Sequence, residues 1–156
     1  MALIAAALSA QAPAPNSTAA LRARLAKESD PVHRARLLVP LGDAEFQDMR
    51  DESSDGNTSA ALAILKQYRD EVQTCAKQLD AKEPNPEKHP AGFKQLQISV
   101  RASLRRVDDI LVGLAGDDQE PFLEVRKDLE QLNHHLIQEL FPRQPGTESQ
   151  APKPKS

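Results

Sequence analysis

The sequence predicts an all-α protein, and its composition and periodicity both support this. The chain has 156 residues, enough for one domain with a core of its own. It has no Trp, one Tyr and four Phe, so its apolar residues are mostly Leu, Ala, Val and Ile. With only six Gly, this composition favours helices over a β-sandwich. Long segments also repeat apolar residues at alternating spacings of three and four, the period of an amphipathic helix.

The first 17 residues predict a leader that precedes the domain. Residues 2–10 form an apolar run, and Ala10-Gln11-Ala12 fits the small-x-small pattern of a cleavage site. The run is too short to span a bilayer, and no basic segment precedes it. We expect residues 1–17 to be a signal peptide, which implies a periplasmic or secreted protein. The alternative is a disordered leader on a cytoplasmic protein.

Two helices are expected in the first part of the domain. A short one is predicted around residues 18–27, where Leu21 and Leu25 share a face. A longer one is predicted to begin at Asp30-Pro31, because Asp is a good N-cap and Pro suits the first helical position.

The longer helix contains a proline in its interior. Pro40 cannot donate a hydrogen bond to the carbonyl of Arg36, so the helix must either break or kink there. The apolar period continues past Pro40 without a phase shift, and the sequence therefore predicts one kinked helix. Its predicted buried stripe consists of Val32, Ala35, Val39, Phe46 and Met49, with Gly42 between them.

Three more helices follow, each with one apolar stripe. The stripes cover residues 61–79, 93–114 and 122–140. Pro84 ends the first of these helices, and Pro121 is expected in the first turn of the last one.

Four long helices joined by short connections predict an antiparallel up-and-down bundle over residues 18–141. A solenoid fragment is the alternative, because residues 41–72 resemble a tetratricopeptide-type hairpin in spacing. The chain shows one such copy, whereas an array needs about three. The tail, residues 142–156, has four prolines and no large apolar residue, so we expect it to be disordered.

The Ala-rich leader, the long helices and the Pro/Lys-containing tail together resemble those of small, exported, all-helical bacterial proteins that are uncharacterised. The resemblance involves no specific motif, and it implies no site residues.

Composition excludes several classes of function. A net charge of −3 argues against a general nucleic-acid binder, which needs a net basic face. The single cysteine, Cys75, falls on an apolar stripe, where we expect a buried and unreactive thiol. The chain has no nucleophile elbow, Walker loop or dinucleotide glycine pattern, and we expect no cofactor.

The histidines and paired carboxylates do not predict a metal site or a catalytic site. His134 and His135 are adjacent, so on a helix they point about 100° apart and cannot easily share an ion. Asp117-Asp118 lies where a helix cap is expected, and we predict no catalytic role for it.

One segment is unusually basic. Between Lys88 and Val107 there are five basic residues and no acidic one. One interpretation is charge complementarity with neighbouring acidic helices; the other is a strip that binds an anionic partner, namely a lipid surface, an anionic polymer or an acidic protein patch. The candidate strip is Lys94, Arg101, Arg105 and Arg106.

A weaker candidate site lies in the longest internal loop, where Glu87, Lys88 and His89 are consecutive. Loops often carry function, although the prolines around these residues also fit a stiff crossover between two helices.

Two functions remain open from the sequence, beside the tetratricopeptide-like helical-hairpin binding module that the solenoid alternative implies. The first is a non-enzymatic, exported helical protein that acts through an unknown protein or an anionic surface. The second is a small-ligand binder or an enzyme whose residues converge only in the fold, around His89 or His134.

Overall fold

The computed structural model of the protein describes residues 14–142. Most of the predicted leader and tail, residues 1–13 and 143–156, lies outside this range. The all-α class is confirmed, because the described residues contain helices and no strand. The five helices are α1 (Thr18–Lys27), α2 (Pro31–Ser54), α3 (Thr58–Lys82), α4 (Ala91–Gly113) and α5 (Gly116–Leu140).

The start of α2 follows the prediction from sequence. The carboxylate of Asp30 accepts hydrogen bonds from the backbone N–H groups of Val32 and His33, at 2.8 and 2.9 Å. These are groups that the first turn of a helix leaves without a partner. Arg34, one turn later, donates from Nη1 to the carbonyl of Leu25 at 2.6 Å and so closes the end of α1.

Helix α2 continues through Pro40 without a break, as the period predicted. Its buried face differs from the predicted stripe. Val39 is 37 % exposed, whereas Leu38, Leu41 and Glu45 are fully buried. Because α2 packs against α1, α3 and α4 at once, a wide arc of its surface is covered and not one narrow stripe.

Helix α5 begins earlier than the sequence predicted. It starts at Gly116, so Pro121 lies in the helix interior and not in its first turn. Asp117 and Asp118 occupy the first turn, where the positive end of the helix dipole stabilises carboxylates. They act there through their charge, because the N-cap is Ala115, which has no capping side chain.

Packing places α2 beside both α3 and α4, and α5 beside the same two helices. Gly92 of α4 lies against Val32 of α2, and Arg106 of α4 pairs with Asp43 of α2. From the first contact to the second, the residue number rises in α2 and also in α4, so the two helices run in the same direction. An up-and-down order gives this same relation to two helices that are separated by one helix in the chain.

Close approach at one end of the bundle depends on Gly92. A Cβ atom at this position would lie 2.5 Å from Leu79 Cδ2 and 3.2 Å from Val32 Cγ2. The missing side chain therefore lets α2, α3 and α4 meet there. None of the helices within residues 14–142 is both long and apolar enough to cross a membrane.

Candidate functional site

The histidine, cysteine and carboxylate side chains considered as candidates for chemistry do not gather at one place in the described part of the fold. Among the described residues, no three His, Cys, Asp or Glu side chains converge as a metal site would require. Cys75 is fully buried, and burial raises the pKa of its thiol to about 12. A thiol in that state is protonated and inaccessible at neutral pH.

The exposed surface of α4 carries a row of basic side chains around an isoleucine. Lys94, Ile98, Arg101 and Arg105 follow one another at spacings of four, three and four, so they lie on one side of the helix. All four are exposed, and Ile98 keeps 59 % of its surface in solvent. We call these four residues the outer face of α4.

The outer face has three cations that form no ion pair with a side chain of residues 14–142. Lys94, Arg101 and Arg105 take part in none of the salt bridges of that region. The complementary charge expected from the acidic neighbouring helices is thus not paired with these three side chains. Their positive charge is available to a partner.

Arg106, the fourth member of the predicted strip, points in another direction. Its guanidinium donates from Nη2 to Asp43 Oδ1 and lies 5.5 Å from the centre of the Phe46 ring. An arginine over an aromatic face gains a cation–π interaction, so Arg106 is held against α2. It therefore helps to join α2 and α4 and lies apart from the outer face.

A small cavity opens between α2 and α4 next to the outer face. It has a volume of about 110 Å³, and we call it the α2–α4 recess. Val39 and Ile98 are exposed beside it, while Tyr68 of α3 is buried and reaches it from below. Gly42 leaves the space that the Tyr68 ring occupies, because a Cβ atom there would lie 3.1 Å from Tyr68 Cε2.

One polar atom in the recess lacks a partner. Ser99 is 8 % exposed, and its Oγ accepts and donates no hydrogen bond within the described part of the chain. The Tyr68 hydroxyl donates to the Ser99 carbonyl oxygen over a long 3.4 Å. Most buried polar groups in proteins have a partner, so this unpaired hydroxyl, an atom closed to solvent at the wall of the recess, is an exception.

A second polar cluster lies deeper, where α1, α2 and α3 meet. Arg22 donates from Nε and Nη2 to Glu45 Oε1, at 2.9 and 2.6 Å, and its Nε is 3.6 Å from Glu71 Oε1. The Oε2 atoms of both glutamates are buried and have no hydrogen-bond partner among the residues described. One arginine thus serves two carboxyl groups.

Burial and mutual repulsion keep this cluster from being fully ionised. Burial, followed by the charge of Glu71, raises the pKa of Glu45 to about 8 in spite of the Arg22 contact. Burial also raises the pKa of Glu71. We conclude that the two carboxyl groups share a proton near neutral pH, since two adjacent buried carboxylates cannot both ionise cheaply.

The other groups singled out by sequence are spread over the surface. Glu87, Lys88 and His89 are exposed in the α3–α4 connection, and this loop site stays a prediction. His135 pairs with Asp80 of α3, with 3.0 Å between Nε2 and Oδ2, so it links two helices. His134 is exposed on α5.

Sequence reasoning missed Glu45 and the recess for different reasons. Glu45 lies next to Phe46 on the buried side of α2. A carboxyl group among the apolar positions of a helix can be recognised from their spacing in the sequence. The recess carries no such signal, because it is formed by side chains from three helices.

Comparisons with protein-family models, with curated proteins and with solved structures give no match for this chain.

Proposed function

We propose that the protein is a non-enzymatic binding protein, and that the outer face of α4 binds an acidic segment of another protein. The observation that carries the proposal is the set of three exposed cations that form no ion pair within residues 14–142, arranged around an exposed isoleucine. Charge complementarity selects an acidic partner and speeds its association. Ile98 adds apolar contact at the centre of the same surface.

The shape of the surface favours a linear segment over a membrane or a bulk polymer. The three cations lie in one row along a single helix, about 17 Å from Lys94 to Arg105 at 1.5 Å per residue. Asp108 and Asp109 follow within one turn and are exposed, so a wider anionic surface would meet acidic groups there. A net charge of −3 also disfavours a broad anionic surface.

The remaining parts of the proposal concern location and scaffold. The apolar run before residue 17 supports an exported protein, so we propose that the partner is met in the periplasm or outside the cell. The four long helices serve as the bundle that keeps α4 straight and holds its outer face in solvent.

Selection of short peptides from a displayed random library tests the proposed partner class. We expect the selected peptides to be rich in Asp and Glu and to bind more weakly as salt is added. Arg101→Glu combined with Arg105→Glu should weaken them about tenfold or more, because attraction becomes repulsion at two positions. Lys66→Glu with Lys77→Glu is the matched control, since these exposed lysines of α3 also form no ion pair in the described part of the chain.

Three results would overturn the proposal. One is a selection that yields no acidic peptides, and another is equal binding by the α4 double variant and the wild type. The third is that the protein binds none of the peptides but binds vesicles of phosphatidylcholine and phosphatidylserine through the same arginines. That result would indicate a lipid-binding surface.

A further inference from the structure

We infer that the α2–α4 recess receives one glutamate side chain of the acidic segment, with its carboxylate bound by Ser99 and Arg106. The inference rests on the proposed function, because the recess adjoins the outer face and Ile98 belongs to both. It adds a defined contact that the outer face alone does not supply.

The size and lining of the recess suit this occupant. Its volume of about 110 Å³ is below the ~150 Å³ of a cavity that admits a benzene ring, so a short side chain fits better than an aromatic one. Leu38, Val39 and Ala102 give it apolar walls that suit the methylene groups of a glutamate stem. Asp43, Ser99 and Arg106 supply polar atoms to the same lining.

Two side chains that line the recess, Ser99 and Arg106, carry hydrogen-bond donors suited to a carboxylate. Ser99 Oγ has no partner within residues 14–142, so its hydroxyl can donate without breaking an existing bond there once a small shift of the recess walls exposes the atom, which is closed to solvent in this structure. Arg106 uses one N–H on Asp43, and Phe46 and Asp43 together fix the guanidinium plane. Because arginine has five N–H donors, several remain for an incoming carboxylate.

The other groups facing the recess do not prevent this binding. Asp43 is the acidic group there; its side chain is 57 % exposed, and its ion pair with Arg106 offsets its charge. Burial raises the pKa of Tyr68, so its hydroxyl stays protonated and brings no negative charge.

Propionate is a suitable probe, because it has a carboxylate on a short aliphatic stem, and propanamide is its uncharged counterpart. In titrations of the whole protein followed by amide resonances, we expect propionate to shift Gly42, Ser99 and Ala102 at millimolar concentration. Propanamide should bind about fivefold more weakly or worse, since it cannot form the charge-assisted bonds.

Two variants separate binding from folding. Ser99→Ala should weaken propionate binding about fivefold, while thermal stability stays equal or rises because an unpaired buried hydroxyl is removed. Ala102→Leu should abolish binding by filling the recess. Ser59→Ala, the same change at an exposed position in the first turn of α3, is the control and should alter neither property.

The outcomes distinguish this inference from the proposed function. If acidic peptides bind the outer face but propionate leaves the recess resonances unchanged, the proposed function stands and the inference is wrong. Equal binding of propionate and propanamide, or an unaffected Ser99→Ala variant, also overturns it. If propionate binds but changing each Glu of a selected peptide to Gln has no effect, the recess holds free carboxylates and the assignment to a glutamate side chain is wrong.

Discussion

Glu45 places a carboxyl group inside the bundle, and its surroundings decide its charge. The side chain is fully buried, Arg22 is its one cationic contact among the residues that the structure describes, and Glu71 competes for the same arginine. With its pKa raised to about 8, the folded protein binds a proton that the unfolded chain has lost above its ordinary pKa of 4.5. Stability contributed by this proton is therefore full below about pH 4.5 and is lost as the pH rises towards 8.

Glu45→Gln should remove most of this pH dependence. In urea unfolding, we expect the wild type to lose about 1 to 2 kcal/mol between about pH 5.5 and about pH 8.5. The variant should lose much less, because its amide does not ionise and Arg22 is left free to pair with Glu71. Glu124→Gln, at an exposed position of α5, should retain the wild-type slope. A Glu45→Gln variant with that same slope would place the titrating group elsewhere.

At the scale of the element, Pro40 shows how packing can override local preference. A proline inside a helix removes one backbone hydrogen bond and crowds the preceding turn. Helix α2 nevertheless continues for 24 residues, because its arc from Ala35 to Met49 is buried against three other helices. Pro40 itself is exposed, so its ring contributes little to the core.

Pro40→Ala should therefore stabilise the protein. The alanine restores an N–H donor for the carbonyl of Arg36 and removes the clash, which we expect to raise the free energy of unfolding by about 1 to 3 kcal/mol. Urea unfolding monitored by circular dichroism measures the change. Ala63→Pro, at an exposed position inside α3, is the reverse control and should destabilise by about 3 kcal/mol. A destabilised Pro40→Ala variant would show that the native packing of α2 requires proline at this position.

At the scale of the whole molecule, one side chain reports on the integrity of the bundle. Cys75 of α3 is fully buried, and its Sγ donates to the Pro31 carbonyl oxygen at 3.6 Å, at the start of α2. Reaching this thiol requires α2 and α3 to separate. Its reactivity therefore follows the opening of the main helical interface.

Labelling of Cys75 by a disulfide reagent should be about a thousandfold or more slower in buffer than in concentrated urea. Only the open state exposes the thiol, so the rate should rise in parallel with the fraction unfolded. Ser59→Cys in a Cys75→Ala background is the exposed control and should react quickly under both conditions. Rapid labelling of the wild type in buffer would mean that α2 and α3 separate locally without global unfolding.

The sequence by itself determined the helices, because capping and the 3.6-residue period are local properties of the chain. The start at Asp30 and the continuity of α2 through Pro40 could be predicted in this way, and so could the burial of Cys75. Three of the four cations in the predicted strip, Lys94, Arg101 and Arg105, lie on the outer face of α4, whereas Ile98 was not part of the prediction.

Only the tertiary structure decided which helices meet and in which direction. The inward position of Glu45, the binding of Arg106 to Asp43 and the recess beside Ser99 all depend on side chains far apart in sequence. Periodicity gives the phase of a single helix but not its partner, because many pairings bury the same apolar stripes. Because α2 packs against three helices at once, only one of these pairings is formed. In that pairing Arg106 faces α2 and is separated from the other cations of α4.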